Sequence, residues 1–192
     1  NRPIKESYEN ANSVIYQSNF NKKLTESWFG VHNNSHIIHN AADPSLINNQ
    51  MFLDNYNKIN WPWDKDKEVW SCAASWRPHK RLLQNVLYFL DHATDDAVFA
   101  IAGSLGLDEA KEYMSMSNRI YYLAYLDHCP NVVVDAQEAG CKIICSSSGG
   151  THEVVYNGVM VLENEWDMKP CELYNPPIMD FSNTKEIEDH KY

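Results

Sequence analysis

The sequence predicts an α/β protein built on a doubly wound, Rossmann-like parallel sheet. Two observations carry this. One candidate strand, AVFAIAG (97–103), is apolar along its whole length, and KIICS (142–146) is nearly so. Between such segments the chain turns helical in period, as in RLLQNVLYFLDHA, where Leu82, Leu83, Val86, Leu87, Phe89 and Leu90 make one stripe. Strands with no polar face that alternate with helices belong to a parallel sheet covered on both sides. Such sheets bind ligands at the carboxyl ends of their strands, on the loops that lead into helices.

Taken in order, residues 13–17 (SVIYQ) read as a short buried strand. Ser18 or Asn19 caps the following helix, NFNKKLTESWF, which Gly30 stops. A second strand is expected at 36–40. Residues 44–67, rich in Asn and Asp around a Trp61-Pro62-Trp63 element, read as a linker. EVWSCAA (68–74) is a strand, and SWRPHK leads from it into the helix RLLQNVLYFLDHA. AVFAIAG follows, then a helix from about residue 108 and a strand at 119–123. The loop DHCPN opens the helix VVVDAQEAG, which ends at Gly140. KIICS is the next strand, SSGGTHEVV a Gly-rich turn into a short helix, and VMVLE (159–163) the last strand candidate.

Composition narrows the function. The chain is 192 residues long, 44% hydrophobic and 22% charged, which is globular. Its formal net charge is −10, and its 16 Lys and Arg are scattered, so nucleic acid is not an expected partner. Five cysteines, Cys72, Cys129, Cys141, Cys145 and Cys171, include no CxxC pair; free thiols in a reducing, cytoplasmic setting are expected. Cys141, Cys145 and His152 match no standard zinc spacing, so no metal is expected. No apolar run is long enough to cross a membrane. The opening Asn1-Arg2-Pro3 has neither an initiator Met nor the pattern of a signal peptide, so the chain is expected to start inside a longer gene product.

Four loops stand where ligands should bind. In SWRPHK, Arg77 and Lys80 sit between a strand end and a helix start, where cations can meet a diphosphate; two solvated surface cations are the plainer reading. Asp127 and Asp135 are eight positions apart across the start of the VVVD helix. The first can reach a sugar and the second can accept two ribose hydroxyls, although Asp127 can equally serve as a helix cap. Ser146-Ser147-Ser148-Gly149-Gly150-Thr151, with Glu153, can bring backbone close to a ligand or be a simple turn. AIAGSLG holds GxxG rather than GxGxxG, which disfavours a nicotinamide enzyme. No GxSxG elbow supports acyl hydrolysis, and no Tyr-x-x-x-Lys pair supports an epimerase. His79, His128 and His152 fall in these loops, most simply as polar loop residues.

Together, YLAYLDHCPNVVVDAQEAGCKIICSSSGGTHEVV, EVWSCAASWRPHKRL, HIIHNAAD and NSVIYQSNFNKKLTESWFG resemble, in order and spacing, the C-terminal half of family-four retaining glycosyltransferases of GT-B fold. The resemblance spans about residues 8–165. It divides the chain into a remnant of the N-terminal acceptor domain and crossover (1–43), a linker (44–67) and a nucleotide-sugar-binding domain (68–192). It implies that Arg77 and Lys80 hold the donor diphosphate, that Asp127 lies against the donor sugar and that Asp135 grips the ribose. It further implies that main-chain amides around His128, Cys129, Pro130, Asn131 and Val132 meet the phosphate, and that Gly103 lines the nucleotide pocket.

The activity so implied is metal-independent transfer of a hexose, with retention, from a GDP- or UDP-sugar to a glycan or lipid acceptor. No cofactor beyond that donor is implied, and the full-length protein would meet its membrane peripherally. The chain departs from the family at several points. Both acids are Asp where the family has Glu, Asn40-Ala41-Ala42-Asp43 lacks the usual Gly, and the segment between Gly103 and Asn118 is short. The acceptor domain's glycine-rich loop and His have no counterpart. This chain alone is therefore expected to bind donor without turnover. A non-catalytic interaction domain that keeps the fold is the alternative.

Overall fold

The computed structural model describes residues 2–42, 63–64, 66–72, 75–101, 114, 117–168 and 175–187. Two sheets organise them. In the smaller, β1 (Val14–Tyr16) pairs in parallel with β2 (Ser35–Ile37). Between these strands runs α2 (Asn19–Phe29), preceded in the chain by α1 (Arg2–Glu9). Ser18 is the N-cap of α2 and accepts a hydrogen bond from the Asn21 N–H at 3.0 Å. Gly30 ends the helix at φ +91°, a conformation that suits a residue without Cβ. The second strand starts one residue earlier than its apolar run suggests, because Ser35 pairs with Val14.

The larger sheet has six strands in the order β4-β3-β5-β6-β7-β8. These are β3 (Val69–Cys72), β4 (Val98–Ile101), β5 (Arg119–Tyr122), β6 (Lys142–Ser146), β7 (Gly158–Val161) and β8 (Thr184–Ile187). β3 to β7 are mutually parallel, as the apolar strands predict. β8 is different: it pairs antiparallel with β7, and three of its four residues are exposed. A polar, solvated edge strand has no apolar run to announce it, which is why periodicity misses it. Residues 102–113, where a helix is expected, and most of the 44–67 linker lie outside the described residues.

Both faces of the sheet are covered. Ile120, Tyr122, Ile143 and Cys145 pack on one side with Val133 and Ala136 of α4 (Asn131–Glu138). Trp70, Cys72, Tyr121, Leu123 and Ile144 pack on the other with Tyr88 of α3 (Leu82–His92). Successive residues of β5 thus enter opposite cores, the two-residue period of a strand buried twice. Trp70 stacks on Tyr121 at 5.0 Å between ring centroids, and Arg119 lies over Trp70 while pairing with Glu68 at 2.6 Å. Burial pushes the thiols of Cys141 and Cys145 up to about 12, so neither is a nucleophile near neutrality.

The small sheet is docked on the carboxyl edge of the large one. The Glu153 carboxylate accepts from the Asn19 and Phe20 backbone N–H groups and from Asn19 Nδ2, all at 2.7–2.8 Å. It meets the positive end of α2 and satisfies donors that a helix start leaves open. Asn40 Nδ2 donates to the Cys129 carbonyl at 2.7 Å and to Asn131 Oδ1 at 2.6 Å.

Candidate functional site

Strand order locates the site. β3 has β4 on one side and β5 on the other, so the order reverses between β3 and β5. At such a switch point the loops leaving the two strands diverge and open a crevice at their carboxyl ends. Residues 75–81 leave β3 and residues 123–130 leave β5.

The first loop is compact. Pro78 sets the first position of a 3₁₀ turn, Pro78–Lys80, closed by hydrogen bonds from Lys80 N–H to the Arg77 carbonyl (2.9 Å) and from Arg81 N–H to the Pro78 carbonyl (3.0 Å). The second loop is tied to it: Tyr125 N–H donates to the His79 carbonyl at 2.7 Å. Asn85 of α3, fully buried, fastens both. Its Nδ2 donates to the Lys80 and Arg81 carbonyls at 3.1 and 2.8 Å, and its Oδ1 accepts from Leu123 N–H at 3.1 Å. Nothing in the sequence marks Asn85, which stands in an apolar helix stripe.

The Gly pair lets the chain close on this loop. Gly149 has φ +77°, and a Cβ there would overlap the Asp127 backbone. A Cβ on Gly150 would overlap the His128 carbonyl oxygen and Ser18 Oγ. Gly150 N–H donates to the Asp127 carbonyl at 2.7 Å. The close approach expected of Gly149-Gly150 is therefore to the loop that carries Asp127, and Glu153 beside it clamps α2.

Within the crevice the Lys80 ammonium makes a short ion pair with Asp127 and a short hydrogen bond to the Tyr122 hydroxyl, which donates to the same carboxylate at 2.7 Å. Lys80 also lies 4.9 Å from the centroid of the Tyr122 ring. Burial alone would raise the Asp127 carboxyl, but the Lys80 charge and the hydrogen bonds from Lys80 and Tyr122 outweigh it and hold the group below the usual carboxylate range. Tyr122 is held protonated, chiefly by burial and then by the Asp127 charge. Tyr122 carries no motif, and only the folded register brings its hydroxyl to Asp127.

A cavity of about 260 Å³ beside this pair is lined by Gln17, His79, Leu126, Asp127, His128 and Cys129. Burial lowers both imidazoles; at His79 the Lys80 and Arg77 charges add to this, and at His128 the Asp127 charge partly opposes it. His128 Nδ1 is 3.1 Å from Asn21 Nδ2, and its ring meets that of Phe20. Burial raises the Cys129 thiol, so this residue contributes backbone, not a thiolate.

The helix behind the crevice begins as expected. Pro130 is the N-cap of α4 and makes no side-chain cap, so the first N–H groups, from Asn131 and Val132, are left for another acceptor.

The fold thus pairs Lys80 with Asp127, and Asp127, His128 and Cys129 share one cavity on the loop that leads into Asn131 and Val132. Two other candidate residues stand apart. Arg77 is exposed and lines a separate hollow of about 280 Å³ with Trp76, Pro78 and Leu83. Asp135 is half-buried in the second turn of α4 and does not line the cavity beside Asp127. Gly103 lies outside the described residues.

No protein-family model and no curated protein sequence matches the chain. Solved structures do. Sucrose-phosphate synthase from Thermosynechococcus elongatus superposes with a TM-score of 0.64 at 16% identity, covering 84% of this chain and 48% of its own. Anabaena HepE, solved in complex with UDP-glucose, gives 0.61 at 14% identity, covering 85% and 54%. WaaG, a glycosyltransferase involved in lipopolysaccharide biosynthesis, gives 0.58 at 10% identity, covering 78% and 49%. The chain spans about half the length of these proteins. Its mixed α/β architecture, with a mostly parallel sheet, matches the Rossmann-like domain of the GT-B fold seen in these structures.

Proposed function

We propose that the chain is the donor-binding half of a retaining glycosyltransferase, which transfers a hexose from a GDP- or UDP-sugar to a glycan or lipid acceptor. One observation carries this reading: Lys80 and Asp127 meet at the topological switch point, on the loop that leads into the uncapped start of α4. An ammonium and a helix N-terminus suit the two ends of a diphosphate. A carboxylate beside them suits the hydroxyls of the attached sugar. HepE, of the same fold, was solved with UDP and with UDP-glucose, which makes uracil the first base to test.

In this reading a bound donor competes for Lys80. The ammonium turns from Asp127 to the leaving phosphate, and Asp127 accepts from a sugar hydroxyl. Breaking the bond from the anomeric carbon to the phosphate oxygen places charge on the diphosphate, which Lys80 and the α4 N–H groups neutralise in place of a metal, with the exposed Arg77 turning in from its neighbouring hollow. The acceptor oxygen attacks the same face, and the departing phosphate takes its proton. Asp135 holds the ribose. The acceptor is held by a domain of the full-length protein, so the chain alone binds without turnover.

Calorimetric titration with UDP, GDP and their glucose and mannose conjugates tests the reading. Saturable heat from at least one of them is expected, lost on combining Arg77→Ala with Lys80→Ala. Heat from none would leave a non-catalytic interaction domain as the better account.

A further inference from the structure

Next to the crevice lies a second ion pair that faces inward. Arg81 follows Lys80 directly and adopts the left-handed backbone at φ 53°. That conformation is unfavourable for a side chain with Cβ and persists only where its surroundings enforce it. Here it sends Arg81 beneath the loops while Lys80 enters the crevice. The Arg81 guanidinium grips Glu163 with two hydrogen bonds, at 2.8 and 2.6 Å. It also donates to the Pro177 carbonyl at 2.9 Å and lies 4.8 Å from the centroid of the Tyr125 ring. The Arg81 side chain is 0% exposed and that of Glu163 7%.

The contacts continue from Glu163 to the other loop. Ser146 Oγ donates to the Glu163 carboxylate in a short hydrogen bond and shares another, of 2.7 Å, with Ser148 Oγ. Ser148 Oγ accepts from the Leu126 N–H at 3.4 Å. Leu126 is itself left-handed, at φ 56°, and precedes Asp127. A buried polar chain therefore runs from the residue after Lys80 to the residue before Asp127, and both of its ends are held in an unfavourable backbone state. Buried ion pairs rarely stabilise more than an apolar replacement would, so stability alone is a poor reason to keep this one in such a position.

We propose that Arg81 and Glu163 are the positioning pair of the crevice, fixing the Lys80 turn and the Asp127 loop at the separation where ammonium and carboxylate meet. Neither is a catalytic residue. The consequence for ligand affinity rests on the nucleotide-binding reading above; the consequence for Asp127 does not.

The test follows the Asp127 side-chain carboxyl by carbon NMR against pH, together with UDP and GDP affinity, in the whole chain. Two variants are used: Glu163→Gln, and Arg81→Gly combined with Glu163→Gln. The double variant leaves no orphaned charge, and glycine accepts the left-handed turn without strain. In folded variants the Asp127 titration should move up toward about 3.9, the ordinary value, and nucleotide affinity should fall about tenfold through misplacement of Lys80. A purely stabilising pair would lower the melting temperature but leave Asp127 titrating as before, because Lys80 and Tyr122 would still face it; that result overturns the proposal. If the unmodified chain binds neither nucleotide, the donor reading fails, and the Asp127 titration still decides the positioning role.

Discussion

Lys80 and Arg81 are adjacent in sequence, each paired with a carboxylate, and they do opposite things. The Lys80–Asp127 side chains are 15% and 19% exposed, and Asp127 borders an open cavity. The Arg81–Glu163 side chains are 0% and 7% exposed, and the guanidinium is held by the carboxylate, the Pro177 carbonyl and the Tyr125 ring, although each residue also borders a hollow of its own. Lysine is a mobile point charge that can leave one partner for another, whereas the arginine fork fits a single carboxylate in one geometry. In the proposed reading the outward pair is exchanged for a ligand, whereas the inward pair stays.

That contrast can be broken, most severely at Arg81. Arg81→Ala strands a buried carboxylate, and urea unfolding should show a loss of about 3–5 kcal/mol; a loss below about 1 kcal/mol would mean that Glu163 is reached by water. Gly150→Ala comes next. Its Cβ overlaps the His128 carbonyl oxygen and Ser18 Oγ, so the joint between the two sheets must shift. A destabilisation of about 1–3 kcal/mol is expected from thermal melts. Glu153→Ala removes the carboxylate at the start of α2, a capping loss of about 1–2 kcal/mol. Amide exchange in residues 19–22 should speed up relative to the large sheet.

Lys80→Met should change stability by only about 1 kcal/mol, since its pair is partly solvated, while the Asp127 titration rises and nucleotide heat disappears. The smallest and most gradual effect is that of pH. His79, His128 and His152 all have lowered values, each chiefly through burial. A histidine whose folded value is lowered binds fewer protons folded than unfolded, so its stability contribution is complete above about 6.5, the unfolded value, and declines as pH falls below it. Asp127, also lowered, contributes in full above its unfolded value near 3.9 and loses that contribution only in stronger acid. Melting temperatures across pH 4–8 should therefore decline on the acid side first through the imidazoles, and His128→Asn should flatten part of that slope.

Much of the fold is legible in the sequence. The uninterrupted apolar strands imply two covered faces, and β5 has them. Ser18 and Gly30 mark the ends of α2 because capping is a local matter of one hydroxyl and one positive φ. β8 was not legible, because an exposed antiparallel edge needs no apolar pattern. In the site, Lys80 and Asp127 were read from loop position alone. Asn85, Tyr122 and Glu163 were not, since each works through partners distant in sequence: Asn85 with Leu123, Tyr122 with Lys80, and Glu163 with Arg81. Gly149-Gly150 is legible as either a close approach or a simple turn, and the backbone it approaches is that of the Asp127 loop.

By itself the sequence determined the buried strands and the helices α2, α3 and α4, that these strands run parallel, and which loops stand at their carboxyl edge, but neither α1 nor β8. These follow from periodicity and capping, which act over a few residues. The tertiary structure alone decided that β3 and β5 are neighbours across the switch point, that Lys80 faces outward and Arg81 inward, and that Glu153 clamps a helix. Those outcomes depend on strand order and on one left-handed residue, and both are settled only when distant segments compete for the same space.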